Sequence, residues 1–368
     1  MARPRVLMLL SSCSDSMRHS AMQIVAAATE LYEVEILAPD REEKALRLLG
    51  APLHSWKPAG AYSMLRSVDT LRKTVKRFDP DLIHAFGFPA TIAGLGSVSR
   101  MMAARTLVSL HDPIPEGGGT IPKKFVEKRL PSLLPHAGFF ICAYRSLAED
   151  LFTRFGVERA RVETIPPGLS PSRLAQIVRV PARIGPRIGF WGQLGPDNAW
   201  EIALRALSKV RSDLPNAALW IAGGGTLVSR VRARAEELKL LDEVHLLGDV
   251  DVRELFGKID LLLVPLSRDP LPLALLEALA AGVPVVAANR GALADVVSAR
   301  ETGWLVEPDS SGLAAGVSDL FRRVEEAWRG AAAQRAQVAG EFDWETVLAR
   351  TFARYRQLLT EAASPSAV

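Results

Sequence analysis

The first half of the chain alternates short apolar runs with segments of helical periodicity. Helices are predicted at Ser20–Tyr32 and Met64–Arg77, and strands at RVLMLL, EVEILAP, DLIHAF, RTLVSL, FFICAY and RVETIPPG. Because these strands lack polar alternation, we expect them to be buried on both faces of a parallel sheet covered by helices. The pattern predicts a doubly wound α/β domain.

The periodicity is lost after this series and then resumes. Residues 169–187 carry the turn and breaker residues Pro171, Pro181, Gly185 and Pro186. Further predicted strands follow, RIGFWG, AALWIAGGG, VHLLGDV, DLLLVPL, VPVVAA and GWLV, with helices at Trp200–Val210, Thr226–Leu238 and Leu273–Ala281. We therefore predict two α/β domains, 1–170 and 187–342, a linker at 171–186, and a C-terminal helix at 343–362.

Length and composition agree with two folded domains. The chain has 368 residues, of which 48% are hydrophobic and 23% are charged, so neither disorder nor a membrane-embedded class is indicated. The apolar run at Val6–Leu10 is too short for a secretory leader, and no run approaches the roughly 18 apolar residues of a spanning helix. We expect a cytoplasmic chain that is soluble or peripheral to the inner face of the membrane.

Metal and disulfide chemistry are not indicated. The two cysteines, Cys13 and Cys142, form no CxxC pair and have no histidines at metal-ligand spacing. The net charge is only +4 and aromatic residues are scarce in the basic segments, which argues against nucleic acid as a partner. We expect no metal and no cofactor.

The segment VPLSRDPLPLALLEALAAGVPVV carries the strongest candidate chemistry. It places Asp269 in a loop after a strand and Glu277 eight residues later on a helix. If that helix starts near Pro272, the backbone N–H groups of Leu273 and Ala274 favour an anion. The Glu277 carboxylate can accept two hydroxyl hydrogen bonds, which suits a ribose. The alternative is that Glu277 caps or solvates its own helix.

This segment resembles the acidic E-x7-E region of the retaining family-4 glycosyltransferases. Four further segments are similar to motifs of that family in the same order: GFWGQLGPDNAWEIALRAL, WIAGGGT, VHLLGDVDVRELFGKIDLLLVPL and GWLVEPD. The first half matches more loosely through FDPDLIHAF, TLVSLHDP and VETIPPGLSP. The resemblance implies the GT-B fold: two Rossmann-like, doubly wound domains facing across a cleft, with the C-terminal helix crossing back to the first domain.

The resemblance also implies roles for residues of the second domain. Glu277 would hold the donor ribose, and Asp269, where the family usually has Glu, would face the donor sugar. The other implied donor-side positions are Gln193, Asn198, Gly224, Leu273 and Ala274. The donor would be a UDP- or GDP-linked sugar. Transfer would proceed with retention at the front face, without a protein nucleophile, as the leaving phosphate assists deprotonation of the acceptor.

In the first domain the resemblance places His111 near the reacting sugar. The alternative for a lone histidine after a strand is a structural hydrogen-bonding role. Ser14 and Arg18, in the loop SSCSDSMRHS after the first strand, would lie on the acceptor side. That loop lacks the paired glycines of the family.

The phosphate half of the site departs from the family pattern. The family normally carries an Arg and a Lys where this chain has Gln193 and Asn198, so two positive charges are missing. Arg18, Arg268 and Arg290 are the cations that could replace them, although each is also explained as a solvated surface charge. The open alternatives are an enzyme with relocated cations, an enzyme with an unusual donor, and a noncatalytic relative.

A basic segment suggests a membrane partner. Residues 121–134, IPKKFVEKRLPSLL, interleave basic and apolar side chains, which suits an anionic lipid surface, and Met64–Arg77 adds a second basic stripe. The alternative is a core-facing helix with a solvated basic face.

The sequence predicts transfer of a sugar to a saccharide or lipid-linked acceptor in envelope or exopolysaccharide synthesis. The alternative function is that of a catalytically impaired relative that binds a glycan, a nucleotide or a partner enzyme.

Overall fold

A computed structural model gives the fold. It describes residues 3–11, 14–40, 46–56, 61–114, 123–170, 186–195, 199–265, 271–297 and 303–363. The chain divides into two compact units: residues 1–168 with 345–368, and residues 169–344. Residues 171–185 of the predicted linker lie outside the described part.

The first unit is built on a parallel sheet. In its described part the order is β3-β2-β1-β4-β5-β6-β7. The strands are β1 (Arg5–Leu10), β2 (Glu33–Ala38), β3 (Leu53–Ser55), β4 (Leu82–Phe86), β5 (Thr106–Leu110), β6 (Phe139–Cys142) and β7 (Val162–Thr164). Its helices are α1 (Asp15–Leu31), α2 (Ala61–Phe78), α3 (Phe88–Leu95), α4 (Arg100–Ala103), α5 (Lys123–Leu133) and α6 (Arg145–Phe155).

The second unit repeats this construction. Its described sheet is parallel, in the order β10-β9-β8-β11-β12-β13. The strands are β8 (Arg187–Trp191), β9 (Ala218–Ala222), β10 (Val244–Gly248), β11 (Leu261–Val264), β12 (Val285–Ala288) and β13 (Gly303–Val306). The helices are α7 (Ala199–Asp213), α8 (Val228–Glu237), α9 (Val252–Phe256), α10 (Leu273–Ala281), α11 (Gly291–Val296), α12 (Ser310–Arg322) and α13 (Val324–Phe342).

Helices cover the central strands of both sheets, as the unbroken apolar runs predict, whereas RVETIPPG forms the edge strand β7, which is only partly buried. Every residue of β4, β5, β6, β11 and β12 is buried. In the second unit, one face of the sheet packs against α7, α8 and α12. On the other face, Trp328 of α13 donates its indole N–H to the carbonyl of Asp260, immediately before β11. The predicted fold class, two parallel-sheet α/β domains, is confirmed.

The same kind of contact occurs at the amino-terminal edge of each sheet. Asp81, just before β4, accepts the backbone N–H of Arg5 at 2.8 Å. Asp260, just before β11, accepts the backbone N–H of Arg187 at 3.0 Å and its side chain at 3.1 Å. In each sheet this carboxylate ties the two central strands together at the edge away from the loops that carry the candidate residues.

The last helix, α14 (Trp344–Ala363), belongs to the first unit. The Tyr355 hydroxyl lies 2.8 Å from Nδ1 of His84, and Nε2 of His84 lies 2.8 Å from the hydroxyl of Ser109. Tyr355 also packs its ring edge-on against Phe352. The helix therefore completes the core of the domain formed by the first part of the chain.

Helix α1 differs from the sequence-based prediction. The periodicity predicts a start at Ser20, but the helix begins at Asp15, because the Ser14 hydroxyl accepts the backbone N–H of Met17 and caps the first turn.

Among the described residues, no helix combines the length and the apolar character that crossing a bilayer requires.

Candidate functional site

The loops of the second unit converge at the point where the strand order reverses. Strand β8 pairs with β9 on one side and with β11 on the other, so the chain leaves the two central strands in opposite directions. In doubly wound sheets, ligands bind outside the carboxyl ends of the strands at such a point. The loops after β8 and β11 carry the predicted donor-side residues.

The loops after β8, β9 and β10 are bonded to one another. The backbone N–H of Leu194 donates to Gly224, and that of Gly223 donates to Gly248. Gly223 and Gly225 adopt φ values of 130° and 153°. A Cβ on Gly223 would stand 2.1 Å from the Gly192 carbonyl, and one on Gly225 would stand 2.5 Å from the Leu194 carbonyl. The flanking glycines thus allow the first two loops to pack closely.

Gly224 itself has room for a side chain. The nearest atom to a Cβ there is the Cβ of Asp249, 3.9 Å away. Gln193 is exposed in the adjoining loop, and its carbonyl accepts the N–H of Gly195. Asn198 lies outside the described residues. Of the two positions where the family pattern has a cation, the structure therefore describes one, and there Gln193 presents a neutral amide.

Helix α10 starts at the place that Pro272 predicts. Pro272 is the N-cap residue, and its side chain offers no hydrogen bond to the helix. The N–H groups of Leu273 and Ala274 lie in the first turn, where no acceptor exists within the helix. The positive end of the helix dipole lies at the same point. This end of α10 follows β11 at the switch point of the sheet, which suits an anionic group.

Glu277 is buried one turn into α10. Only 2% of its surface is exposed, and every residue of α10 from Ala274 to Ala281 is buried. A carboxylate is costly to bury unless hydrogen bonds or charges compensate it. Its placement contradicts the alternative in which Glu277 is a solvated surface residue.

The other predicted residues of this domain are placed less completely. Arg290 is exposed and forms the N-cap of α11, at the carboxyl end of β12, which pairs with β11. Arg268 and Asp269 lie outside the described residues. Of the cations suggested as replacements in this domain, Arg290 is the one that the described structure places at the relevant edge.

In the first unit, His111 follows β5 and is 3% exposed. Its Nδ1 lies 3.5 Å from the hydroxyl of Ser16, in the first turn of α1. Burial, and then the neighbouring His19, lower its pKa from 6.5 to about 3. The imidazole is therefore neutral at physiological pH, so that one ring nitrogen donates a hydrogen bond and the other accepts one.

Asp112 connects the same two segments. Its Oδ2 accepts the backbone N–H of Ser14 at 3.3 Å. Burial raises the pKa of the Asp112 carboxyl, whereas the hydrogen bonds from Ser14 lower it. Arg18, one turn into α1, is exposed. The structure thus brings Ser14 and His111 together through Asp112, the next residue in the sequence after His111, and through Ser16, to which the sequence assigned no role.

The contacts that sequence reasoning missed are long-range. Asp112 directly follows His111, but its bond to Ser14 spans 98 positions of the chain, and no local pattern signals it. The importance of Gly223 and Gly225 is signalled by the run of three glycines, although their function is to pack two loops together.

The described part of the chain holds no cluster of three or more His, Cys, Asp or Glu side chains suited to a metal ion. Burial raises the pKa of the Cys142 thiol.

In the basic segment 121–134, the side chains of Leu130 and Leu134 are fully buried. These two residues pack inside the domain, as the core-facing alternative predicts.

Comparisons with known protein families agree with this construction. Residues 17–168 match the family described as "Glycosyl transferase 4-like domain". Residues 185–323 match the family described as "Glycosyl transferases group 1". The two matches fall on the two sheets in turn.

Curated relatives resemble the chain over most of its length. Glycogen synthase of Mycobacterium tuberculosis is 28% identical over 358 residues, covering 94% of this chain and 85% of its own. The GDP-mannose-dependent alpha-(1-6)-phosphatidylinositol monomannoside mannosyltransferase of Mycolicibacterium smegmatis is 27% identical, covering 72% of this chain and 74% of its own.

Solved structures show the same fold. The crystal structure of Anabaena Alr3699/HepE in complex with UDP superimposes with a TM-score of 0.78 at 18% identity, covering 96% of this chain and all of that one. The fold of this chain is thus that of GT-B glycosyltransferases. Together with the two family matches, this shows that the chain belongs to the group 1 glycosyl transferases.

Proposed function

We propose that the chain is a retaining glycosyltransferase that moves a sugar from a UDP- or GDP-linked donor to a saccharide or lipid-linked acceptor. The single observation that carries this proposal is buried Glu277, one turn behind the uncapped start of α10 at the switch point of the sheet. A diol-binding carboxylate and an anion-binding helix end together suit a nucleoside diphosphate.

In this proposal the protein binds and orients the donor and supplies no nucleophile. Glu277 accepts the ribose hydroxyls, and the first turn of α10 stabilises the charge that develops on the leaving phosphate. Asp269 contacts the hydroxyls of the donor sugar. Neutral His111 holds a hydroxyl of the reacting sugar, and the leaving phosphate takes the proton of the acceptor.

The choice of donor rests on the relatives. One is named a glycogen synthase, another is named for its dependence on GDP-mannose, and the Anabaena structure contains UDP. UDP and GDP sugars are accordingly the donors to test first. The lipid acceptor in the name of the mannosyltransferase supports a role in envelope or exopolysaccharide synthesis.

A lipid-linked acceptor would bring the chain to the inner face of a membrane. Arg72, Lys73 and Lys76 form an exposed basic stripe on α2, where Lys73 also pairs with Asp69 at 2.7 Å. With Leu130 and Leu134 buried, we propose that contact at residues 121–134 and at α2 depends on charge rather than on inserted apolar side chains.

The exposed amide of Gln193 favours a second candidate function, that of a relative that binds a nucleotide but has impaired turnover. Family members carry a positive charge there, and charge at that position stabilises both bound diphosphate and leaving group. The two candidates share nucleotide binding and differ in turnover.

Calorimetry and donor hydrolysis test both candidates. UDP and GDP are titrated into the wild-type chain, and release of free sugar from UDP-glucose and GDP-mannose is followed. We expect Glu277→Gln to weaken nucleotide binding about tenfold or more, since the amide accepts fewer hydroxyl hydrogen bonds. The matched control is Glu326→Gln, an exposed glutamate on α13 of the same domain.

The outcomes separate the alternatives. Binding with hydrolysis supports the enzyme, and binding without hydrolysis or transfer supports the impaired relative. If neither nucleotide binds and Glu277→Gln behaves like Glu326→Gln, the chain does not use Glu277 for a nucleotide and both candidates are wrong.

A further inference from the structure

Two consecutive residues after β5 each contact the beginning of α1. His111 Nδ1 lies 3.5 Å from the Ser16 hydroxyl, and Asp112 Oδ2 accepts the Ser14 backbone N–H at 3.3 Å. The Ser14 hydroxyl also bonds to the Asp112 carboxylate. The loops after two strands that are not neighbours in the sheet, β1 and β5, are thereby connected through a pair of contacts.

The contact of Asp112 is not needed to cap α1. Ser14 already performs that function, because its hydroxyl accepts the Met17 N–H at 3.3 Å. Asp112 instead joins the capped helix to the loop that holds His111. Asp112 is half-buried, and its carboxylate carries part of the desolvation cost of burial, so a carboxylate at this place indicates a use beyond local stability.

We propose that Asp112 is a positioning residue: by accepting from Ser14 it fixes the loop after β5 on the start of α1 and so holds the neighbouring His111 imidazole in one orientation. Ser16 supplies the second restraint, on the ring itself. The inference rests on the proposed function in one respect, since only that function assigns His111 to the reacting sugar.

The same domain offers a matched control. Asp81 also accepts a backbone N–H with its carboxylate, that of Arg5 at 2.8 Å, but at the opposite edge of the sheet. A purely structural carboxylate and a positioning carboxylate can therefore be compared in one fold. Asp81→Ala removes the first kind of contact and Asp112→Ala removes the second.

The first experiment measures donor hydrolysis and nucleotide binding. We expect Asp112→Ala to lower kcat for the sugar nucleotide by about tenfold or more, while the Kd for UDP or GDP stays within about twofold, because the nucleotide contacts lie in the second domain. Asp112→Asn should recover most of the loss, since its amide oxygen still accepts the Ser14 N–H. Asp81→Ala should lower Tm and leave kcat within about twofold.

Two results would overturn the inference. One is a kcat in Asp112→Ala that equals that of Asp81→Ala. The other is an equal loss in Asp112→Asn and Asp112→Ala, which would assign the effect to the charge of Asp112 and not to its hydrogen bond.

A second experiment does not depend on turnover. The ring nitrogens of His111, followed by ¹⁵N NMR in histidine-labelled protein, should change their shifts in Asp112→Ala and in Ser16→Ala, and keep them in Asp81→Ala. Unchanged His111 shifts in Asp112→Ala would refute the positioning role. The wild-type chain could bind and hydrolyse no sugar nucleotide while the two variants still change the His111 shifts. That combination would refute the proposed function and leave the positioning of His111 standing.

Discussion

At the scale of single residues, the proposed donor site depends most on the charge beside the diphosphate. The helix end of α10 supplies partial positive charge, and Gln193 in the neighbouring loop supplies none. A full cation about 4 Å from a phosphate is worth on the order of 4 kcal/mol at an effective dielectric near 20, before desolvation. The donor site should therefore bind its diphosphate more weakly than a site that carries the cation.

This difference predicts the effect of restoring the charge. Gln193→Arg should tighten UDP or GDP binding about tenfold or more, because the guanidinium pairs with the diphosphate. Titration calorimetry measures the change. Gln337→Arg, which adds the same charge at an exposed position of α13, is the control and should alter Kd by less than about twofold. Equal Kd values for the two variants would show that the diphosphate does not lie at position 193.

At the scale of elements, the packing of loops sets the shape of the donor-side edge. We predict that Gly223→Ala lowers stability by about 2 kcal/mol or more, because φ is 130° there and the added Cβ meets the Gly192 carbonyl. Nucleotide affinity should fall with it. Gly224→Ala, where space exists, is the control for stability and should leave the free energy of unfolding unchanged. Urea unfolding and calorimetry give the two quantities, and an equal effect of both variants would contradict the prediction.

Elements with a strong local pattern could be predicted from the sequence. Strand β1 is the RVLMLL run, and α10 has the predicted bounds because Pro272 precedes a run of helix formers. The predicted start of α1 was wrong, because the capped first turn of this helix is polar and hides the periodicity. The candidate site was predictable only in part: Glu277 stands in a local motif, whereas the bond between Asp112 and Ser14 depends on tertiary folding.

At the scale of the molecule, two buried histidines link stability to pH. Burial lowers the pKa of His84 and of His111 from 6.5 to about 3. Between these values the unfolded chain binds more protons than the folded one, so stability falls as the pH decreases below about 6.5. From pH 7 to pH 5 each histidine should remove about 2 kcal/mol of unfolding free energy.

Urea unfolding of the first domain between pH 7 and pH 5 tests this linkage. His84→Gln keeps polar atoms that can bond to Tyr355 and Ser109 but does not titrate, so its pH slope should be about half that of the wild type. A wild-type stability that stays flat over this range would show that the two histidines are not buried in neutral form.

The contact between His84 and Tyr355 also affects the order in which the chain folds during synthesis. The strands of the first sheet emerge from the ribosome before residues 169–344, and the helix that carries Tyr355 emerges after them. Residues 169–344 form a unit that is continuous in sequence and can complete its core before then. The first domain is thus completed only after the second has left the ribosome, and the apolar surface that the helix covers stays exposed until that helix emerges.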